Sequence, residues 1–158
     1  MYSYLELEQK RLEFVGYLRS KVGNPYRWGG NGPHLYDCSG LMCDGLQQIG
    51  ILSSDMTSQN LHKHLTTLGY PDVSLPRVPG QLAFFGNEID SITHVMAVLE
   101  TWQDEQTIMV GARGGDATTT TLDEAYRRGA HVSTVRGSYW NSRLQSVIDP
   151  FHFRGLDQ

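Results

Sequence analysis

Long apolar runs are missing from this 158-residue chain. None approaches the roughly 18 consecutive apolar positions of a membrane-spanning helix, so membrane insertion is not expected. An excess of positive charge is missing as well. Lys and Arg number 13 against 17 Asp and Glu, and the net charge of -4 argues against a nucleic-acid groove or an anionic-membrane binder. Cysteine is scarce, with only Cys38 and Cys43. A spacing of five on a helix points two side chains to different faces, which argues against an intrachain disulfide. The N-terminal stretch MYSYLELEQKRLEF has early acidic residues and no apolar core of a secretory signal. The expectation is synthesis in a cytoplasm, with any action outside depending on release or injection by another agent. Repeats, low-complexity tracts and linkers are absent too, so residues 1–158 read as one domain.

What is present is an ordinary globular composition, 39% hydrophobic and 19% charged, long enough to bury a core without staples. Leu7, Phe14, Val15, Leu18 and Val22 recur at helical spacing and predict a helix over residues 4–22, ended by Gly23, Asn24 and Pro25. A loop rich in Gly and Pro follows over 25–37. A second helix is expected from Cys38 to Ile49, with Asp37 as N-cap and Gly50 as stop. A shorter helix fits 57–67, capped by Thr57 or Ser58. The rest reads as strands at 81–86, 92–102, 107–112, 131–137 and 145–151, with a turn at QDEQ and a short helix at 121–129. Helices first and an antiparallel sheet after give an α+β layout.

Cys38 sits at a boundary between a flexible loop and a helix start. A thiol in the first helical turn feels the positive end of the macrodipole and nearby unpaired N–H groups, which favour the nucleophilic thiolate and suit an oxyanion. Such a nucleophile needs a base, normally His. Of six histidines, His94 begins a strand that packs near the Cys38 helix and is the first choice, with His131 second. His62 and His64, as HKH, read as a solvated helix face. His34 lies in the loop and His152 near the C-terminus. Cys43, further along the same helix, reads as core.

The residues PYRWGGNGPHLYDCSGL resemble the nucleophile motif of the NlpC-type cell-wall cysteine peptidases, roughly PYxWGG…DCSGL. VPGQLAFFG…ITHVMAVLE is similar to that family's PGDLVFF…HVGIYLG, MTSQNL to its RTSxxQ, and SYWNSRLQSVIDP loosely to its closing strand. The resemblance implies a papain-like α+β fold with N-terminal helices packed on a central antiparallel sheet. It also implies hydrolysis of peptidoglycan stem peptides, usually between D-γ-glutamate and a diamino acid, with no metal or organic cofactor. Carried over, Cys38 is the nucleophile and His94 the base. Tyr26 lies beside the thiol, Trp28 lines the site, and Asp37 and Ser39 shape the helix start and contact substrate.

Three positions depart from the pattern. Gln81 replaces the Asp of PGDLVFF, Met56 replaces the Arg before TS, and Gly111 stands where a His orients the base. Asp116 is the candidate to fill that third role, with Gln59, His131 and a backbone carbonyl as alternatives. Gly111 is expected opposite His94, leaving space beside the imidazole. The implied partner is the stem peptide, delivered to by a holin, tail or secretion machinery, as for a phage lysin. A papain-like acyltransferase or deamidase, or a non-catalytic wall-binding module, are the rival readings.

Overall fold

A computed structural model describes residues 1–102, 106–137 and 142–154. In chain order these form α1 (Tyr4–Lys21), α2 (Cys38–Gln48), α3 (Ser58–Thr67), β1 (Leu82–Gly86), β2 (Ile92–Thr101), β3 (Thr107–Arg113), α4 (Leu122–Arg128), β4 (His131–Arg136) and β5 (Leu144–Ile148). The architecture is the expected α+β one: N-terminal helices on a central antiparallel sheet of order β4-β3-β2-β1-β5.

The helix starts are set by local chemistry. Ser3 and Glu6 form a reciprocal capping box on α1. Asp37, Thr57 and Thr121 each accept a backbone N–H at the third helical position of α2, α3 and α4. The apolar stripe of α1 (Phe14, Leu18), the buried α2 residues Leu41 and Leu46, and Leu61 and Leu65 of α3 pack on one sheet face. That face is formed by Leu82, Phe84, Val95, Ala97, Val110, Ala112 and Ile148. Each such Leu or Phe contributes on the order of 1.5–3 kcal/mol through burial. The opposite face carries a smaller cluster of Ala83, Phe85, Met96, Met109 and Val147. Cys43 is fully buried in the main core and its thiol donates to the Met56 carbonyl at 3.6 Å. Both cysteines are free thiols.

Two expectations change. His62 is not on a solvated face: it is buried, with its ring edge-on to Phe84 at 5.0 Å. Ser58, Leu61, His62 and Leu65 share the inner stripe of α3, so the helical phase turns His62 inward and leaves Lys63 outside. The β2–β3 register also differs. Ala97 pairs with Val110, and a bulge between Val98 and Glu100 shifts the ladder. One step further, Gly111 lies across from Met96 rather than His94. A Cβ on Gly111 would stand 3.0 Å from Met96 Cγ, so Met96 fills the space over Gly111.

The fifth strand stops at Ile148, short of the expected 151, because Asp149 turns the chain by accepting the Phe151 N–H at 2.9 Å. The expected turn at QDEQ lies outside the described residues at 103–105, as does 138–141 of the closing segment. Asp149 also receives Arg11 Nη2 at 3.0 Å, and Arg11 Nη1 donates to the Pro79 carbonyl at 3.0 Å. This buried clasp ties α1 to the end of the sheet. Gln81, at the position of the family's Asp, accepts from the N–H groups of Arg77 and Val78 at 2.9 and 3.0 Å. Its amide donates to Asp149 at 3.4 Å.

Candidate active site

The loop before α2 is held against the helix start by a dense set of backbone bonds. Asp37 N–H donates to the Gly30 carbonyl at 2.8 Å. The Asp37 carboxylate accepts from Gly40 N–H at 2.6 Å, from Gly29 N–H at 3.1 Å and from the Ser39 hydroxyl at 3.3 Å. Gly40 is required by this closeness, since a Cβ there would fall 1.9 Å from the Gly30 oxygen. Behind the loop, the Tyr36 hydroxyl donates to Asp44 at 3.1 Å, and Tyr17 donates to the same carboxylate.

Cys38 is thus the first residue of α2, where helix N–H groups lack intrahelical acceptors. Its Sγ lies 3.4 Å from the Ser58 hydroxyl oxygen and 4.0 Å from the Thr93 carbonyl. Burial raises the thiol pKa, and the Ser58 hydroxyl and the Val95 and Ser39 N–H groups act the other way. The sulfur therefore meets β2 at the residues on either side of His94.

His94 is partly buried, with its ring 6.0 Å from that of Phe85. Burial, and then the guanidiniums of Arg113 and Arg143, push its pKa down to about 4. Both shifts favour the uncharged forms, imidazole and thiol, over a preformed ion pair, against the thiolate that the helix start alone would favour.

One cavity of about 960 Å³ is lined by Tyr26, Trp28, Asp37, Cys38, Ser39, His94 and Asp116 together. Tyr26 is buried, and desolvation, followed by any thiolate charge on Cys38 and by Asp37 and Asp116, keeps its hydroxyl protonated. Trp28 is exposed at the rim and also lines a smaller neighbouring cavity of about 380 Å³. Asp37 is held up in pKa by burial despite its N–H partners. Asp116 is exposed, and its oxygens accept from Thr118 at 2.6 Å and from Arg128 at 2.8 Å. Of the alternatives to Asp116, Gln59 lines the cavity and pins the start of β2, accepting Ile92 N–H at 2.8 Å and donating to Ile89 O at 3.3 Å. His131 is exposed at the start of β4, with Nδ1 2.8 Å from the Gly129 carbonyl.

Ser58, Arg113 and Arg143 also line this cavity and were not singled out from sequence. Ser58 had a signal, as one of two possible caps: Thr57 takes the capping role, which releases the Ser58 hydroxyl toward Cys38. The arginines had none, because only tertiary packing brings them to His94.

Known proteins share parts of this sequence and its fold. The chain is 28% identical over 126 residues to "Probable endopeptidase p60" of Listeria grayi, covering 80% of this chain and 20% of that protein. A probable endopeptidase of Corynebacterium glutamicum is 42% identical over 55 residues, covering 35% of this chain and 26% of the relative. The chain thus spans about a quarter or less of the length of these curated relatives. Among solved structures, the peptidoglycan hydrolase RipB of Mycobacterium tuberculosis superposes with a TM-score of 0.63 at 18% identity, over 96% of this chain and 70% of that one. An NlpC/P60 family protein of Bacillus cereus reaches a TM-score of 0.65 at 15% identity, over 90% of this chain and 40% of that one. At such identities the superpositions speak for the fold alone. Residues 23–149, which include both the DCSG helix start and the HV strand, match the NlpC/P60 family profile, and the chain belongs to the NlpC/P60 family.

Proposed function

We propose that this protein is a cysteine peptidase that hydrolyses amide bonds in peptidoglycan stem peptides, with the D-γ-glutamyl–diamino acid bond as the expected target. The observation that carries this reading is the Cys38 thiol at the first turn of α2, set against Thr93 and Val95, with His94 lining the same cavity. His94 takes the thiol proton as sulfur attacks the carbonyl carbon, and the resulting oxyanion faces the N–H groups at the start of α2. The C–N bond then breaks and the imidazolium gives its proton to the leaving amine. Water, deprotonated by His94, attacks the thioester, and the carboxylic acid leaves as the thiol is restored.

In this reading Tyr26 donates its hydroxyl toward the reacting centre, Asp37 and Ser39 meet the polar groups of the acyl portion, and Trp28 packs against it. Asp116 is the proposed third member, orienting the His94 ring in the role that Gly111 leaves empty. An Asp116→Asn variant with an unchanged rate and pH profile removes it from that role.

The test is mass spectrometry of fragments released from purified peptidoglycan by the wild type and by Cys38→Ala. Stem-peptide fragments cut after γ-glutamate, absent with Cys38→Ala, are expected. Transfer of an added amine in place of water identifies an acyltransferase, and wall binding without any fragment identifies a binding module. Either outcome replaces the peptidase reading.

A further inference from the structure

Charges of both signs line the cavity. Asp37 feels Asp55, and Tyr26 feels Asp37 and Asp116. His94 feels Arg113 and Arg143, and all of these residues line the same space. Arg113 ends β3, and continuing the pairing from Ala97 and Val110 sets it level with His94. Its Nη1 lies 3.4 Å from the Ser133 hydroxyl, which anchors the guanidinium from β4. Arg143 is exposed and approaches the cavity from just before β5.

Two cations beside a general base oppose its work, because they disfavour the imidazolium that proton transfer creates. An anion bound between them reverses the effect. Guanidinium pairs are well matched to carboxylates, which they hold with paired N–H donors. On the peptidase reading above, His94 protonates the leaving nitrogen and so stands on the leaving-group side of the scissile bond.

We propose that Arg113 and Arg143 form a carboxylate subsite that holds a free carboxylate of the released amino acid, next to the amine that His94 protonates. Substrate binding then both selects that carboxylate and restores the basicity of His94. A carboxylate on the acyl residue has the same chemistry, and the experiment separates the two sources.

The first arm is alkylation of Cys38 by anionic iodoacetate and neutral iodoacetamide, followed by mass spectrometry. It needs no peptidase activity. The ratio of the two rates cancels any change in thiol reactivity common to both reagents. Arg113→Gln with Arg143→Gln is expected to lower the iodoacetate-to-iodoacetamide ratio about tenfold, as loss of a charge-assisted contact does. The Arg113→Lys and Arg143→Lys pair, which keeps the charge, retains most of the ratio. A ratio unchanged in the Gln pair overturns the subsite.

The second arm compares kcat/KM for synthetic γ-glutamyl peptides carrying acid or carboxamide on the leaving residue or on the acyl residue. The wild type is expected to prefer the acid on the leaving residue by about tenfold, and the Gln pair to lose that preference. Preference governed only by the acyl carboxylate overturns the leaving-side assignment. If no peptide is cut, the peptidase reading fails, while the alkylation ratio still decides the anion subsite.

Discussion

Ser58 places a hydroxyl 3.4 Å from the Cys38 sulfur, and it is the second influence on that thiol after burial itself. Ser58→Ala removes a donor to the thiolate without touching the cap, which Thr57 supplies. Iodoacetamide labelling of Cys38 at pH 7 should slow several-fold, on the order of one charge-assisted hydrogen bond. An unchanged labelling rate would show that Ser58 only fills space. Cys43, whose pKa burial pushes up to about 12, should label far more slowly than Cys38 in either protein. His94 carries the second prediction at this scale. Held at about 4 instead of its ordinary 6.5, the imidazole is neutral throughout the neutral range. The acid limb of kcat/KM should therefore lie below 6.5. Arg113→Gln, which removes a neighbouring cation, should move it upward, and a limb that stays put or moves down contradicts the charge arrangement. Stability follows the same group. Because the folded pKa is depressed, the unfolded chain binds the proton first as pH falls from 6.5 toward 4. The contribution of His94 is complete above that window and lost through it. Urea titrations across that window should show a shallower slope in His94→Gln than in the wild type, the remainder coming from groups such as the buried His62.

At the scale of elements, the start of α2 depends on the closeness of two backbone segments. Gly40→Ala would press a methyl group to within 1.9 Å of the Gly30 oxygen, so the Asp37 N–H to Gly30 bond must open. Overpacking of this kind costs about 1–3 kcal/mol. The thiol moves with the helix start, so activity should fall by much more than the melting temperature suggests; near-normal turnover in Gly40→Ala would deny the loop its positioning role. This element was readable in the sequence because its determinants are local: Asp37 as cap, Gly50 as stop, and the Gly- and Pro-rich stretch before them. The same holds for α3, α4 and the strand succession. What escaped was long-range. The β2–β3 register, set by the turn and moved by one residue at the bulge after Val98, decides which β3 residue reaches the level of His94; neither strand advertises it, so Gly111 was expected where Arg113 stands. The inward turn of His62 depends on the phase of α3 against Phe84, although Leu61 and Leu65 at helical spacing already hinted at that phase. Arg113 and Arg143 lie 30 positions apart and meet the cavity only through the sheet.

For the whole molecule, the clasp between Arg11 and Asp149 joins residues 138 positions apart in the chain, with both side chains about nine-tenths covered. Arg11 also lies over the Phe151 ring, 5.2 Å from its centre. Removing one partner strands a buried charge, so Arg11→Met should cost about 3–5 kcal/mol in urea unfolding, and adding Asp149→Asn should recover part of the loss. A cost below 1 kcal/mol would mean that water reaches Asp149 freely. The long span of this contact bears on the order in which the protein is made. Cys38, Ser58, His94 and Arg113 leave the ribosome well before Asp149, and β5 pairs with β1 only after some 60 further residues have been added. The nascent chain can hold most pieces of its cavity while α1 still lacks the Asp149 and Phe151 side chains that it clasps. Contacts between segments far apart in a chain are slow to close. Full locking of the first helix therefore waits until residue 149 has been made, and a ribosome stalled before codon 149 would display a chain whose N-terminal helix lacks this clasp.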